Sequence, residues 1–109
     1  MNGYNNCDIY YTARKDSFWI PLRRLLYPVN KTYSWESQPT ISSDGKTLLF
    51  TSIRPGGKGG ADIYSVSRTK NGSWGDLQSL SINTVGDEKS PFLHPDNQTL
   101  YFSSNGHKG

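Results

Sequence analysis

The stretch Glu36–Ser52, ESQPTISSDGKTLLFTS, recurs 52 positions later without a gap as Glu88–Ser104, EKSPFLHPDNQTLYFSS. Seven of the 17 aligned positions are identical, among them the glutamates that open both stretches. Shorter matches extend the repeat on either side. They are Asp8-Ile9-Tyr10 with Asp62-Ile63-Tyr64 at an offset of 54, Trp19 with Trp74 at 55, and Asn30 with Asn83 at 53. The 109 residues therefore consist of repeating units of 52 to 55 residues.

Each unit predicts four short β-strands, which we call a, b, c and d. The predicted spans are 37–42 and 90–93 for a, 47–52 and 99–104 for b, 8–14 and 62–68 for c, and 19–25 and 74–80 for d. The pairs Asp44-Gly45, Asn71-Gly72 and Asp96-Asn97 tolerate a positive φ, so each is expected to close a hairpin.

A period near 50 residues with four strands per unit is typical of a β-propeller blade. We therefore predict an all-β fold of about two blades, with eight antiparallel strands in the order c-d, a-b-c-d, a-b. The expected boundaries are a partial blade over 1–35, a full blade over 36–87 and a partial blade over 88–109. Propellers close with about 4–8 blades, so the remaining blades are expected either from a longer chain or from a homo-oligomer.

Composition supports this fold class and excludes several functions. Ser, Thr, Asn, Gly and Pro, which favour turns, make up 47 of the residues, and 14 aromatic residues supplement a thin aliphatic core. The basic residues are scattered apart from Arg23-Arg24, so we expect no nucleic-acid binding. No apolar run approaches the ~18 residues of a membrane span, so we expect no direct membrane insertion and no signal peptide here.

The acidic residues recur at the repeat period. A single Cys7 gives neither a disulfide nor a zinc set, and His94 and His107 lack metal spacing, so we expect no cofactor and no metal. Glycosidases work with paired carboxylates, but a residue that recurs in each unit performs the same local task each time. We therefore predict no catalytic residue, and interpret the repeated acids as acceptors of turn or loop amides and the repeated tryptophans as packing residues. These positions are Asp8, Asp44, Asp62, Asp96, Glu36, Glu88, Trp19 and Trp74.

The glycine-rich segment Arg54–Gly60 is expected to be a long mobile loop between strands b and c. A phosphate-binding loop would precede a helix and end in Lys-Ser/Thr, which this segment does not. Its remaining interest is as a candidate contact loop with Arg54 and Lys58, to which we add Trp35. Trp35 has no counterpart in the next unit. With Tyr27 and Tyr33 it is expected either to form an exposed aromatic patch or, as we favour, to pack in the core or between blades.

The strings around these positions resemble a known family. Pro39-x-Ile41-Ser42-x-Asp44-Gly45-Lys46-Thr47-Leu48-x-Phe50 resembles the WD40-like, TolB-type β-propeller repeat. The longer strings are similar to the propeller of OmpA-family envelope proteins of Bacteroidota type. They are Trp35–Pro39, Arg54–Tyr64 and Ile82–Asp96. The first unit departs most, with Asn5-Asn6-Cys7 where the second has Gly59-Gly60-Ala61.

This resemblance implies a non-catalytic interaction or scaffold segment in the periplasm, associated with the outer membrane and binding other envelope proteins. It also favours a propeller built by a single chain over one built from several copies. Peptidoglycan binding, which the family assigns to another domain, is not carried over to any residue. The alternative is the propeller portion of a hydrolase, either a peptidase or a glycan-processing enzyme.

Overall fold

A computed structural model of the protein describes residues 7–32 and 34–107. All of its regular structure is β, in agreement with the fold class predicted from the sequence. The strands are β1 Tyr10–Tyr11, β2 Arg14–Lys15, β3 Phe18–Trp19, β4 Arg23–Arg24, β5 Trp35–Ile41, β6 Thr47–Ile53, β7 Asp62–Arg68, β8 Trp74–Ser79, β9 Glu88–Leu93 and β10 Leu100–Ser104. Among the residues described there is no helix with the length and apolar character needed to cross a membrane.

The centre of the molecule is a four-stranded antiparallel sheet in the order β5-β6-β7-β8. These are strands a to d of the second unit, and the span predicted for strand c matches β7. The hairpins turn where glycine permits a positive φ, at Gly45 (73°) and Gly72 (88°). Leu48, Leu49 and Phe50 on β6 are all buried, because this strand is covered on both faces.

Strands β5 and β9 share an irregularity that follows the repeat. Gln38 and Ser90 precede a proline and have φ values of 54° and 55°. At each of them the antiparallel register skips, so that two residues on β5 or β9 oppose one on the partner strand. Proline has no N–H for the ladder and fits a bulge, so the Pro39 and Pro91 of the sequence fix the same bulge in both units.

The first unit departs from the predicted eight strands, because its strands c and d are each divided in two. Tyr10 pairs with Arg24 in one short ladder, and Arg14 pairs with Trp19 in another. Pro21 lies between the two ladders, and a proline in a strand removes a ladder hydrogen bond. The described chain therefore has ten strands, and the prediction of continuous strands over 8–14 and 19–25 is wrong.

The hydrophobic core joins the first unit to the central sheet. Ile9 and Val29 of the first unit pack with Phe50, Tyr64 and Val66 of the sheet. The rings of Phe50 and Tyr64 stack with their centroids 6.1 Å apart. On the other side, β9 packs against β5, β6 and β7. Three successive units are thus in contact through the second.

A repeated asparagine fixes strand c of each unit. The side chain of Asn83 accepts the Ile63 N–H at 2.9 Å and donates to the Ile63 carbonyl at 2.8 Å. Asn30 makes the same two bonds with Ile9, each at 2.8 Å. Both asparagines are buried. Each therefore satisfies backbone groups that would otherwise lie unpaired in the interior.

Replacing this asparagine should destabilise the protein. We expect Asn83→Ala to lower the free energy of unfolding by about 1–3 kcal/mol, because it leaves buried polar groups of Ile63 without their partner. Urea denaturation followed by circular dichroism measures the change. Gln98→Ala, in an exposed turn, is the control and should have little effect. An unaltered midpoint for Asn83→Ala would contradict the structural role of the repeated asparagine.

Candidate functional site

Two fully buried glutamates form the junctions between units. The Glu36 N–H donates to the Cys7 carbonyl at 2.9 Å, and the Glu88 N–H donates to the Ala61 carbonyl at 2.8 Å. Each glutamate thus links the first strand of its own unit to the residue before strand c of the preceding unit. We call these contacts the glutamate junctions.

The Glu88 carboxylate is held by three hydrogen bonds. Thr84 donates from its backbone N–H at 2.8 Å and from its hydroxyl at 2.6 Å, and the Ser104 hydroxyl donates at 2.7 Å. Burial alone would raise the pKa of the Glu88 carboxyl, but these donors, with the nearby His107, hold that pKa below its ordinary value. The carboxylate is therefore kept ionised by donors that come from both sides of it in the sequence.

The Glu36 carboxylate has an equivalent set of donors and one additional ion pair. The hydroxyls of Ser34 and Ser52 donate at 2.6 and 2.8 Å. The Lys31 N–H lies at 3.3 Å, as does the Arg54 guanidinium. The two glutamates of the repeat therefore occupy corresponding sites in successive units.

Arg54 is part of this junction and is buried. Its guanidinium donates to Ser52 at 2.7 Å and to the carbonyls of Pro28 and Val29 at 2.9 and 2.6 Å. It also stacks over the rings of Phe50 and Tyr64. The prediction of Arg54 as a contact residue is therefore wrong, because all of its donors are directed inward.

His107 takes the position of Arg54 in the third unit. Its Nε2 lies 2.7 Å from the Ile82 carbonyl, and its ring meets Phe102 edge-on at 5.9 Å. Ile82 and Phe102 correspond to Val29 and Phe50, so the imidazole takes the place of the guanidinium in two of the contacts that Arg54 makes. The repeat alignment does not predict this correspondence, because it places Gly106 opposite Arg54.

The glycine-rich segment 54–60 is anchored rather than free. The Asp62 Oδ2 accepts the N–H groups of Lys58 and Gly59 at 2.7 and 3.2 Å, and the Gly60 N–H donates to the Gly86 carbonyl. A Cβ at Gly59 would collide with the same Gly86 carbonyl. The segment is thus wrapped closely around Asp62 and against residues 84–86 near the end of the second unit, which corrects the prediction of a long mobile loop. The Lys58 side chain is exposed.

Asp62 and Asp8 do not make the same contacts. Asp62 is buried and accepts amides of its own loop, whereas Asp8 is partly exposed and pairs with the Arg24 Nε at 2.9 Å. The hydrogen bond that Arg24 donates to Asp8 raises the pKa of Arg24. Among the residues described, the expectation that both aspartates accept loop amides therefore holds for Asp62 but not for Asp8. The segment Asn5-Asn6 before Asp8 lies outside them.

Asp44 and Asp96 are turn residues. Asp44 accepts the Ser42 hydroxyl at 2.6 Å and the Lys46 N–H at 2.9 Å. Asp96 accepts the N–H groups of Gln98 and Thr99 at 2.8 and 3.0 Å. These hydrogen bonds lower the pKa of both carboxyls. His94, in the same turn as Asp96, is exposed and accepts the Asp96 N–H at 3.1 Å.

The two repeated tryptophans share a register but differ in environment. Trp74 pairs with Arg68, whose guanidinium stacks over the indole at 4.2 Å, and it packs against the core. Trp19 pairs with Arg14 in the same way but is 64% exposed. The prediction of Trp19 as a packing residue is wrong for the described residues, because the first unit covers Trp74 and no described unit covers Trp19.

A groove of about 920 Å³ separates the first unit from the edge of the central sheet. Tyr10, Tyr11 and Tyr27 line one side, and Pro39 and Ile41 line the other. Three arginines, Arg23, Arg24 and Arg68, also face it. Of these aromatic residues, sequence reasoning singled out only Tyr27 for an aromatic patch, although the adjacent Tyr10 and Tyr11 are a visible signal in the sequence.

The remaining members of the predicted aromatic patch are not found in the groove. Trp35 is half-buried at the start of β5 and is not among the groove-lining residues. Tyr33 lies outside the described residues. Within 7–32 and 34–107, no group of three or more His, Cys, Asp or Glu side chains could hold a metal ion.

Comparison with models of known protein families and with curated proteins found no match to this chain.

The anchoring of the glycine segment gives a testable stability effect. We expect Asp62→Ala to lower the free energy of unfolding by ~1–2 kcal/mol, because two loop amides lose their acceptor. Asp8→Ala is the matched control and should cost less, since it removes only a partly exposed ion pair. Denaturation midpoints measure both. A midpoint for Asp62→Ala equal to that of the wild type would show that Asp62 is free for another role.

Proposed function

We propose that this chain is a β-propeller segment that serves as a non-catalytic interaction scaffold in the cell envelope. The observation that carries the proposal is the pair of glutamate junctions. The same residue joins successive units in the same way at Glu36 and at Glu88, as expected of a repeat whose recurring residues serve assembly of the fold.

The packing of the units supports the interpretation as propeller blades. The central sheet is a four-stranded meander, and β9 lies beside the equivalent strand β5 of the preceding unit. Side chains bridge the two strands: the Ser90 N–H donates to Gln38 Oε1 at 2.8 Å, and the Leu93 N–H donates to Thr40 Oγ1 at 3.1 Å. Neighbouring sheets with their first strands side by side are the packing expected around a propeller axis.

The use of the carboxylates supports a scaffold rather than an enzyme. A catalytic acid or base needs to reach a substrate proton. Glu36 and Glu88 are buried with their oxygens occupied by Ser, Thr and Arg donors, and Asp62 is buried beneath its own loop. The proposed location in the cell envelope and the proposed protein partners rest on the sequence resemblance to envelope propellers, which lies in the strings Trp35–Pro39 and Ile82–Asp96.

The first prediction of this proposal is the absence of hydrolytic turnover. We expect the purified chain to hydrolyse neither glycoside nor peptide substrates above a buffer blank, because its repeated carboxylates are committed to the fold. Chromogenic glycosides and a mixed peptide library provide the assay. Turnover that disappears in Glu36→Gln or Glu88→Gln, but persists in the exposed-turn control Asp96→Asn, would overturn the scaffold proposal.

The second prediction concerns location. When a tagged form is expressed from its own locus in the organism that makes it, we expect the protein in the periplasmic or outer-membrane fraction. A cytoplasmic enzyme and an outer-membrane protein serve as fractionation markers. Recovery only with the cytoplasmic marker would contradict the envelope assignment and leave the fold unaffected.

A further inference from the structure

One carboxylate of the second unit is buried without a charged partner. Asp62 is 1% exposed, and its Oδ2 accepts the amides of Lys58 and Gly59. Its other oxygen, Oδ1, is buried and has no hydrogen-bond partner within residues 7–32 and 34–107. In the same part of the chain, Asp62 takes part in no ion pair. A carboxylate in the interior is costly unless it is paired and fully hydrogen-bonded.

The buried guanidinium of Arg54 is committed to another carboxylate. It lies 5.0 Å from the centre of the Tyr64 ring, but its ion pair is with Glu36. The Lys58 side chain is exposed. The interior of the second unit therefore holds the carboxylates of Glu36 and Asp62 against one guanidinium, and one negative charge is left unbalanced.

Oxygen atoms of three different groups converge beside Gly57. A Cβ at this glycine would meet the Asp62 carboxylate, with the Tyr64 hydroxyl 3.0 Å and the Arg54 carbonyl 3.4 Å away. The absence of a side chain at position 57 thus leaves a small cradle lined by oxygen. Carboxylate and carbonyl oxygens are the ligands of hard cations, and a carboxylate can bind such an ion through one or both of its oxygens.

The first unit contains a cation at the equivalent carboxylate. Asp8 occupies the repeat position of Asp62, and it pairs with the Arg24 Nε at 2.9 Å. In the strand ladder of the second unit, the place of Arg24 is taken by Ser79. Serine carries no charge, so the second unit has the carboxylate of this pair without its cation.

We infer that the second unit binds one monovalent alkali cation, sodium or potassium, at the Asp62 carboxylate, with the Tyr64 hydroxyl and the Arg54 carbonyl as further ligands. One positive charge balances the one unpaired carboxylate. Calcium sites are usually built from several acidic ligands, and the thiolate and imidazole groups that favour transition metals are not among these three ligands. The ion holds the start of the glycine-rich segment against strand c, whichever partner the scaffold binds.

The prediction of no metal from the sequence rested on histidine and cysteine spacing. An alkali cation bound by oxygen needs neither residue type. Its ligands, Arg54, Asp62 and Tyr64, are ten residues apart at most and come from both ends of one loop and the strand after it. Only the fold of the glycine-rich segment brings them together.

Thermal unfolding in different chlorides is the first test. At equal ionic strength, sodium or potassium chloride should raise the Tm of the purified chain by about 4–8 °C over choline chloride, because an ion that binds only the folded state stabilises it. Choline is too large for the cradle, and circular dichroism follows the transition. Equal Tm values in all three salts overturn the cation site. Stabilisation by calcium chloride alone overturns the assignment to a monovalent ion.

A pair of matched variants shows whether the effect belongs to Asp62. Asp62→Asn keeps an oxygen that can accept the loop amides but removes the charge, so its Tm should be the same in alkali and choline chloride. Asp96→Asn makes the same change in an exposed turn and should keep the full difference between salts. A difference that persists in Asp62→Asn overturns the proposed site.

A further variant supplies the charge from within the chain. Ser79→Arg copies the pairing of Arg24 with Asp8, so it should raise the Tm in choline chloride and remove most of the difference between salts. The neutral control Ser79→Gln should keep that difference. Because this variant adds a charge at an exposed position, it gives an answer even if Asp62→Asn does not fold. An undiminished alkali-cation effect in Ser79→Arg places the ion elsewhere and overturns the inference, while the scaffold function is unaffected.

Discussion

The structure depends on burying two carboxylates, those of Glu36 and Glu88, between successive units. An ionised carboxylate in the interior is costly unless it is paired and fully hydrogen-bonded. Each glutamate therefore requires donors from residues on both sides of it in the sequence, such as Thr84 and Ser104 around Glu88. Meeting that requirement brings the end of strand b and the segment before strand a together, while the glutamate N–H binds the preceding unit.

The units differ where they complete this junction. In the second unit the buried charge of Glu36 meets Arg54, a permanent cation stacked on Phe50 and Tyr64. In the third unit the corresponding place is taken by the imidazole of His107. The carboxylate of Glu88 is supported mainly by hydroxyl and amide donors. The junction can thus hold either Arg54 or His107 at this place, because hydroxyl and amide groups donate to the glutamate in both units.

The requirement of a buried carboxylate for donors also explains the glycine-rich segment. Its glycines are not there to make a flexible loop, since Gly59 packs against the carbonyl of Gly86 too closely for any side chain. They allow the backbone to approach Gly86 near the end of the second unit, while Lys58 and Gly59 direct their amides at Asp62. In the first unit Asp8 instead pairs with Arg24, and the surface near β1 is left open as the groove.

The sequence by itself determined the repeat and the local features that depend on nearby residues. The all-β class, the hairpins at Gly45 and Gly72, the span of β7 and the amide-accepting turns of Asp44 and Asp96 follow from periodicity and turn chemistry acting over a few residues. What surrounds a residue in space was decided by the tertiary structure. Trp19 and Trp74 occupy equivalent positions in the repeat, yet within residues 7–32 and 34–107 Trp74 packs against the core whereas Trp19 is exposed. Arg54 looks like an exposed loop cation until the fold places Glu36 and two backbone carbonyls around it. Burial depends on which units lie next to each other, and that is a property of the folded chain rather than of any single stretch of it.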